Sequence, residues 1–188
     1  MAEYVVGITG ASGSIYAIRL IHELVSRENK VHVVITDAGR MVMKEELGFG
    51  LEEAEGKLKV WDNSDFSAPF MSGSNPPDEV IVIPCSMGKL GAIAAGISTN
   101  LLERAADVAL KEKRRLILVV RETPLNLIHI ENMAKVTRAG GVILPAAPAF
   151  YSMPETVEDM IDFVVGRVLD LTGIQHDLYK KWQESTKE

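Results

Sequence analysis

"YVVGITGASGSIYAIRL" (residues 4–20) decides the fold. An apolar run leads through three spaced glycines, Gly7, Gly10 and Gly13, into a helix-like pattern. A strand, a Gly-rich turn and a helix start make an anion site. The first turn's N–H groups are unpaired and the helix dipole is positive there. Ser12 and Ser14 add hydroxyls. The alternative is a tight turn with no ligand.

Working outward, "VHVVIT" (31–36), "EVIVIP" (79–84), "RLILVV" (115–120) and "GGVILP" (within 139–145, starting near Gly140) repeat the apolar pattern. Nearly unbroken Val/Ile runs are expected of strands buried on both faces. Helical patterns lie between them, over 14–27, 38–47, 88–112 with a break near Gly96–Thr99, and 125–138. A last helix runs from Val157 to Leu171, with apolar residues at the 3.6 period and Thr156 with Asp159 as a capping box. Strands alternating with helices imply an α/β fold with a mostly parallel sheet. Such sheets bind ligands beyond the carboxyl ends of their strands. The stretch 62–78, which begins "DNSDFSAPFMSGSNPP", has no apolar period and reads as a long loop.

Composition bounds the rest. A length of 188 residues suits one domain, 1–188, with a polar tail over 174–188. Hydrophobic content of 47% is enough for a sizeable core. A net charge of −6 and the lack of a basic stripe argue against a nucleic-acid partner. No apolar stretch is long enough for a membrane helix. The N-terminus has no signal-peptide pattern, so a cytoplasmic address is expected. The lone Cys85 excludes an internal disulfide. The four histidines and Cys85 show no metal-ligand spacing, so no metal is expected.

Spacing tests narrow the glycine loop. A P-loop needs G-x-x-x-x-G-K-[ST], and Gly88-Lys89 is followed by Leu90 with no correctly placed glycine before it. A nucleophile elbow needs G-x-S-x-G, which Gly10-Ala11-Ser12-Gly13 misses by one position. The loop also resembles that of short-chain dehydrogenases, but no tyrosine here has a lysine four residues on.

Four further stretches carry chemistry. In "PCSMGK" (84–89) Pro84 stops the strand, and Ser86, Gly88 and Lys89 supply donors at a helix start. Cys85 is more simply a small packing residue than a nucleophile. In "VVRETP" (119–124) Arg121 suits bidentate phosphate contact, and Glu122 can act as an acid if the chain turns at Pro124. A surface ion pair is the alternative. "PAAPAFYSMP" (145–154) displays Phe150 and Tyr151 on a proline-stiffened loop, as a ligand wall or as loop packing. Arg167 lies beside the apolar stripe of the last helix, where cations commonly snorkel. Together these strand ends suggest a ligand with a flat body and more than one phosphate site.

These residues are similar to the UbiX/Pad1 flavin prenyltransferases. "GITGASGS" (7–14), "PCSMGKLGAIAAGISTNLLERAADVALKEKRRLILVVRETPLNLIHIENM" (84–133) and "ILPAAPAFYSMPETVEDMIDFVVGRVLDLTGI" (143–174) carry the resemblance over well over half the chain, in order. It implies a Rossmann-like, flavodoxin-like three-layer fold, assembled as a homododecamer. It implies transfer of a dimethylallyl group from dimethylallyl phosphate to N5 and C6 of reduced FMN, without a metal. Prenylated FMN then passes to a UbiD-type decarboxylase. By resemblance, Gly10, Ala11, Ser12, Thr36, Ser86, Met87, Gly88, Lys89 and Arg121 hold FMN. Lys111, Arg121, Glu122, Tyr151 and Arg167 surround the prenyl phosphate. Lys111 and Arg167 are helical and far from the same strand ends, so they are assigned to a neighbouring subunit.

Cations around a departing phosphate stabilise its developing charge. Glu122 is the expected proton donor to that phosphate and later the acceptor from flavin C6, Ser12 a relay at N5, and Glu46 a further site residue. Tyr151 and Trp182 shelter an allyl cation through their π faces. The family often has Lys-Thr or Gly-Thr after Cys-Ser-Met, whereas Gly88-Lys89-Leu90 follows here. Two other readings are a flavin-dependent cysteine decarboxylase and a non-catalytic FMN carrier. The first resembles chains with a P-x-M-N-x-x-M loop and an early-helix histidine. His22 is available, but Pro-x-Met-Asn does not occur.

Overall fold

A computed structural model describes residues 1–48, 51 and 58–182. The chain divides into two compact units, Met1–Pro145 and Ala146–Glu188. The order in the first unit is β1 (Glu3–Ile8), α1 (Ser14–Ser26), β2 (Lys30–Ile35), α2 (Asp37–Leu47), β3 (Leu58–Asp62), β4 (Glu79–Cys85), α3 (Met87–Ala94), α4 (Leu101–Lys111), β5 (Arg115–Val120), α5 (Leu127–Arg138) and β6 (Val142–Pro145). The strands form one sheet in the order β3-β2-β1-β4-β5-β6. Every pairing is parallel.

The topology fixes the layers. The crossovers through α1 and α2 run one way across the sheet, and those through α3–α4 and α5 run the other way. Right-handed crossovers therefore put α1 and α2 on one face and α3, α4 and α5 on the opposite face. The three-layer α/β expectation holds. The direction in which the chain moves across the sheet reverses between β1 and β4, so the carboxyl ends of these parallel strands form the switch-point crevice.

Alternation along the strands builds the two cores. Val5, Val34, Val80, Val82, Leu116 and Leu118 face one way and pack with Leu90, Leu101, Leu102 and Ala105 of α3 and α4. A Cβ on Gly7 would stand 2.4 Å from Leu102 Cδ1, so glycine lets α4 approach β1 closely. Ala105, Ala106 and Ala109 are fully buried, which also keeps α4 close. On the other strand face Val6, Ile8, Val33, Ile81, Ile83, Ile117 and Val119 are buried.

Several element boundaries differ from expectation. β3 is absent from the sequence reading because Lys59 and Asp62 break its apolar run. It is an edge strand with Leu58 and Trp61 inward, paired to Val31–Ile35. The stretch read as a loop is tied to α4: Leu101 N–H donates to the Asn63 carbonyl (2.8 Å) and Arg104 Nε to the Met71 carbonyl (3.0 Å). Phe70 within it is fully buried, edge-on to Trp61 at 5.9 Å. Pro84 does not stop β4. The strand continues to Cys85 through a register slip after Val82, across a cis Ile83–Pro84 bond. The expected break in 88–112 occurs after Ala94, where Gly96 takes a left-handed conformation (φ 69°).

In the second unit α6 (Val157–Thr172) starts at the expected Thr156–Asp159 capping box. Its chain then folds back, so a Cβ on Gly166 would stand 2.6 Å from the Tyr179 ring. The expected polar tail is described as far as Trp182, and its residues 183–188 lie outside the described residues.

Candidate active site

Thr9 joins the two central strand ends. Its Oγ1 donates to the Pro84 carbonyl (2.7 Å) and accepts from Ser86 N–H (2.8 Å). Next to it, glycines permit close helix approach. A Cβ on Gly10 would stand 2.6 Å from Ala38 Cβ, and one on Gly39 would stand 2.6 Å from the Ile8 carbonyl oxygen. Thr36 caps α2 by accepting from Gly39 N–H at 3.1 Å. Ser86 caps α3 by accepting from Lys89 N–H at 3.4 Å. Ala11 is buried beneath the turn.

The start of α1 already holds an anion, and it is the protein's own. Glu46, on the last turn of α2, accepts from Gly13 N–H at 2.9 Å and from Ser14 N–H at 2.9 Å. Partial burial opposes its charge, but hydrogen bonds from the Ser12 hydroxyl and the Ser14 and Gly13 N–H groups hold its carboxyl below the ordinary range. Of the N–H groups that this turn was expected to offer to a phosphate, those of Gly13 and Ser14 are engaged by Glu46. The same contact brings Ser12 and Glu46 together.

Arg121 reaches the same turn from β5. Its Nε donates to the Ser12 carbonyl at 3.1 Å, and its N–H donates to the Cys85 carbonyl at 3.2 Å. Glu122 follows, exposed, at the turn made by the cis Thr123–Pro124 bond, and accepts from Thr123 N–H at 3.1 Å. Tyr16 was missed in the sequence. Its ring lies 2.8 Å from where a Cβ on Gly13 would stand. Burial raises its phenol, while the charge of Arg121 opposes and that of Glu46 adds to the rise. The available signal was its position, three residues after Gly13 on the first turn of α1.

The α3 side differs. Lys89 Nζ lies 2.6 Å from Glu103 Oε1 of α4, with both side chains largely buried. Its ammonium is thus paired with Glu103, whereas its N–H lies at the start of α3 among the donors expected to hold FMN. The Met87 side chain is likewise part of the α3–α4 core, leaving only its backbone at the site. Cys85 is fully buried, and burial pushes its thiol up to about 12 despite the nearby Lys89 charge. Simple packing is its role. Gly88 is bare: nothing lies within 4 Å of where its Cβ would stand.

Lys111 is placed away from this crevice. It ends α4, bonded to Glu112, at the edge where β5 begins. Arg121 is at the other end of β5, about 20 Å away at ~3.3 Å per strand residue. One chain thus does not bring Lys111 to Ser12. In the second unit Tyr151 and Trp182 meet edge-to-face at 5.2 Å. Arg167 donates to Asp170 (3.0 Å) and to the Tyr179 hydroxyl (3.3 Å), and the Tyr179 contact first of all keeps it charged.

A crevice of this kind, at the switch point of a parallel sheet, is where doubly wound proteins bind nucleotide-like cofactors. The Flavoprotein family model matches residues 2–169. The flavin prenyltransferase UbiX of Halalkalibacterium halodurans is 51% identical over 192 residues, 96% of this chain and 93% of that protein. The flavin prenyltransferase UbiX of Methanocaldococcus jannaschii is 49% identical over 96% of this chain and 98% of its own. A crystal structure of AnUbiX (PadA1) in complex with FMN and dimethylallyl pyrophosphate superposes with a TM-score of 0.92 at 41% identity, covering 96% of this chain and 97% of that one. A dodecameric FMN-dependent UbiX-like decarboxylase from Escherichia coli O157:H7 superposes at 0.91, with 40% identity, 96% and 99% coverage. The fold and crevice thus define a flavoprotein. Within that class, the chain belongs to the UbiX flavin prenyltransferase family. A PPC decarboxylase mutant, 17% identical with a TM-score of 0.61 over 78% of this chain and 83% of that one, shares the fold alone.

Proposed function

We propose that this chain joins a dimethylallyl group from dimethylallyl phosphate to N5 and C6 of reduced FMN and passes the prenylated flavin to a UbiD-type decarboxylase. The observation that carries the reading is the convergence of Ser12, Glu46 and Arg121 on one turn at the switch point, in a chain 51% identical to a flavin prenyltransferase. Reduced FMN supplies the nucleophilic ring positions when bound. The residues present fit such a group. The bare first turn of α3 at Gly88 leaves room for a flat ring, and Thr36, Ser86 and Arg121 offer polar contacts around it.

Arg121 stabilises negative charge developing on the departing phosphate. Glu122, exposed beside it, donates a proton to that phosphate and later accepts one. The Ser12 hydroxyl, bonded to ionised Glu46, moves a proton at N5. By resemblance to the family, the π faces of Tyr151 and Trp182 shelter the allyl cation. Lys111 acts from a neighbouring subunit, which its distance from Ser12 in one chain supports, as does the dodecameric relative. Arg167, like Lys111, acts from a neighbouring subunit and completes the phosphate pocket.

Anaerobic incubation with reduced FMN and dimethylallyl monophosphate or diphosphate tests this. A flavin heavier by one C5 unit is expected. FMN that binds without any mass gain, with either donor, contradicts it.

A further inference from the structure

The buried ion pair between α3 and α4 has no role in the chemistry above, yet both partners are largely buried and bonded on every side described below. Lys89 Nζ and Glu103 Oε1 lie 2.6 Å apart, with side chains 14% and 5% exposed. The other Glu103 oxygen accepts from Thr99 N–H (2.9 Å) and from the Thr99 hydroxyl (2.8 Å). Glu103 N–H in turn donates to Asn100 Oδ1, the cap of α4, at 3.1 Å. Burial opposes its charge, but these donors, Lys89 first, hold the carboxyl down at about 2.

Lys89 stands on the first turn of α3. Its own N–H is the one that Ser86 caps, and Ser86 N–H is held by Thr9 at the end of β1. A continuous set of bonds therefore runs from the start of α4, through Glu103 and Lys89, to Ser86 and the switch point. The bare Gly88 lies between the two residues so held. A buried charge pair is a weak source of net stability, but it enforces one geometry, because removing either partner strands the other charge.

We propose that Lys89 and Glu103 are a positioning pair that fixes the first turn of α3, Ser86–Gly88, for flavin. Neither side chain touches the ligand. The inference rests on the flavin reading above and deepens it. It implies that flavin affinity, rather than the rate of the bound complex, depends on the pair.

The test compares Glu103→Gln, Lys89→Met and the matched apolar Lys89→Met/Glu103→Leu in the full chain. FMN affinity is read from flavin fluorescence, with KM for FMN and kcat measured separately. Glu103→Gln strands a buried ammonium and raises the FMN Kd and KM about tenfold or more, with kcat at saturation within about twofold. Lys89→Met leaves Glu103 its remaining donors, so the rise is smaller, about threefold. The double variant, with no buried charge, returns Kd to within about threefold of the starting protein.

An unchanged Kd in Glu103→Gln, with only thermal stability lost, overturns the proposal in favour of a purely structural pair. So does a Lys89→Met defect larger than that of Glu103→Gln and unrescued in the double variant, since Lys89 then touches the ligand. If Glu103→Gln does not fold, Lys89→Met and its rescue decide. A starting protein that binds no FMN overturns the flavin reading itself, and this inference with it.

Discussion

The two Gly/Ser turns at the switch point look alike in sequence and are managed in opposite ways. "TGASGS" opens α1 and "CSMGK" opens α3, each with small residues, hydroxyls and a helix start. Each recruits a glutamate from another helix. At α1 the glutamate is Glu46: it is exposed, it binds backbone N–H groups, and it meets the Ser12 hydroxyl. At α3 it is Glu103: it is buried, and it binds a side-chain ammonium and a turn. The first arrangement leaves an ionised carboxylate bonded to the Ser12 hydroxyl. The second removes a charge from the crevice and leaves bare backbone at Gly88. The same local pattern thus holds an exposed carboxylate on backbone N–H groups on one side and a buried ion pair on the other.

Substitutions sharpen that contrast. The largest effect is expected on the reactive side at the end of β5. Glu122→Gln cuts the rate of flavin prenylation about a thousandfold, in the range of general acid–base contributions. FMN affinity stays within about twofold, as a titration shows. A Glu122→Gln protein that still delivers prenylated flavin at the full rate assigns the proton work elsewhere. Glu46→Gln follows, with about a hundredfold loss of rate. Its melting temperature moves by less than about 2 °C, because the site is exposed. Glu103→Gln reverses the pattern: a stranded buried charge lowers the melting temperature by about 10 °C. If the two glutamates give the same profile of rate and stability, the contrast fails.

Acid separates them further. The Glu103 carboxyl lies at about 2 when folded, against an ordinary value of 4.5. A depressed folded value means its stabilisation is fully present above pH 4.5 and is lost as pH falls toward 2. Melting curves of the starting protein and Glu103→Gln should therefore differ at neutral pH and converge toward pH 2. A gap that stays constant across that window contradicts the buried-pair account. The smallest effect is expected at Cys85. With its thiol at about 12, native protein at pH 8 should resist alkylation and label only on unfolding. Cys85→Ala should keep its rate within about twofold.

Much of this was legible in the sequence. Period and strand–helix alternation gave the parallel sheet, because strands buried on both faces must be apolar throughout. The Thr156 cap was visible as a local pattern. β3 was not, because an edge strand needs apolar residues on one face only and Lys59 and Asp62 hide it. The ordered path of 63–78 was hidden for a related reason: its anchors, Asn63 and Met71, bond through groups that α4 supplies across the fold. At the site, spacing excluded the hydrolase and dehydrogenase loops, the strand ends pointed to Ser12 and Arg121, and the family resemblance added Thr36. It could not show that Glu46 fills the α1 start, since 33 residues separate it from Gly13. Nor could it show that Lys89 turns inward to Glu103, which is 14 residues away. Tyr16 was overlooked because it shares a helical pattern with packing residues.

The most direct test of the contrast is a crystal structure of the protein with FMN bound. Glu46 should remain on the Gly13 and Ser14 N–H groups, the Ser12 hydroxyl should lie within hydrogen-bond reach of N5, and the ring should lie against the bare turn at Gly88. A phosphate seated on Gly13 and Ser14, with Glu46 displaced, would contradict the account.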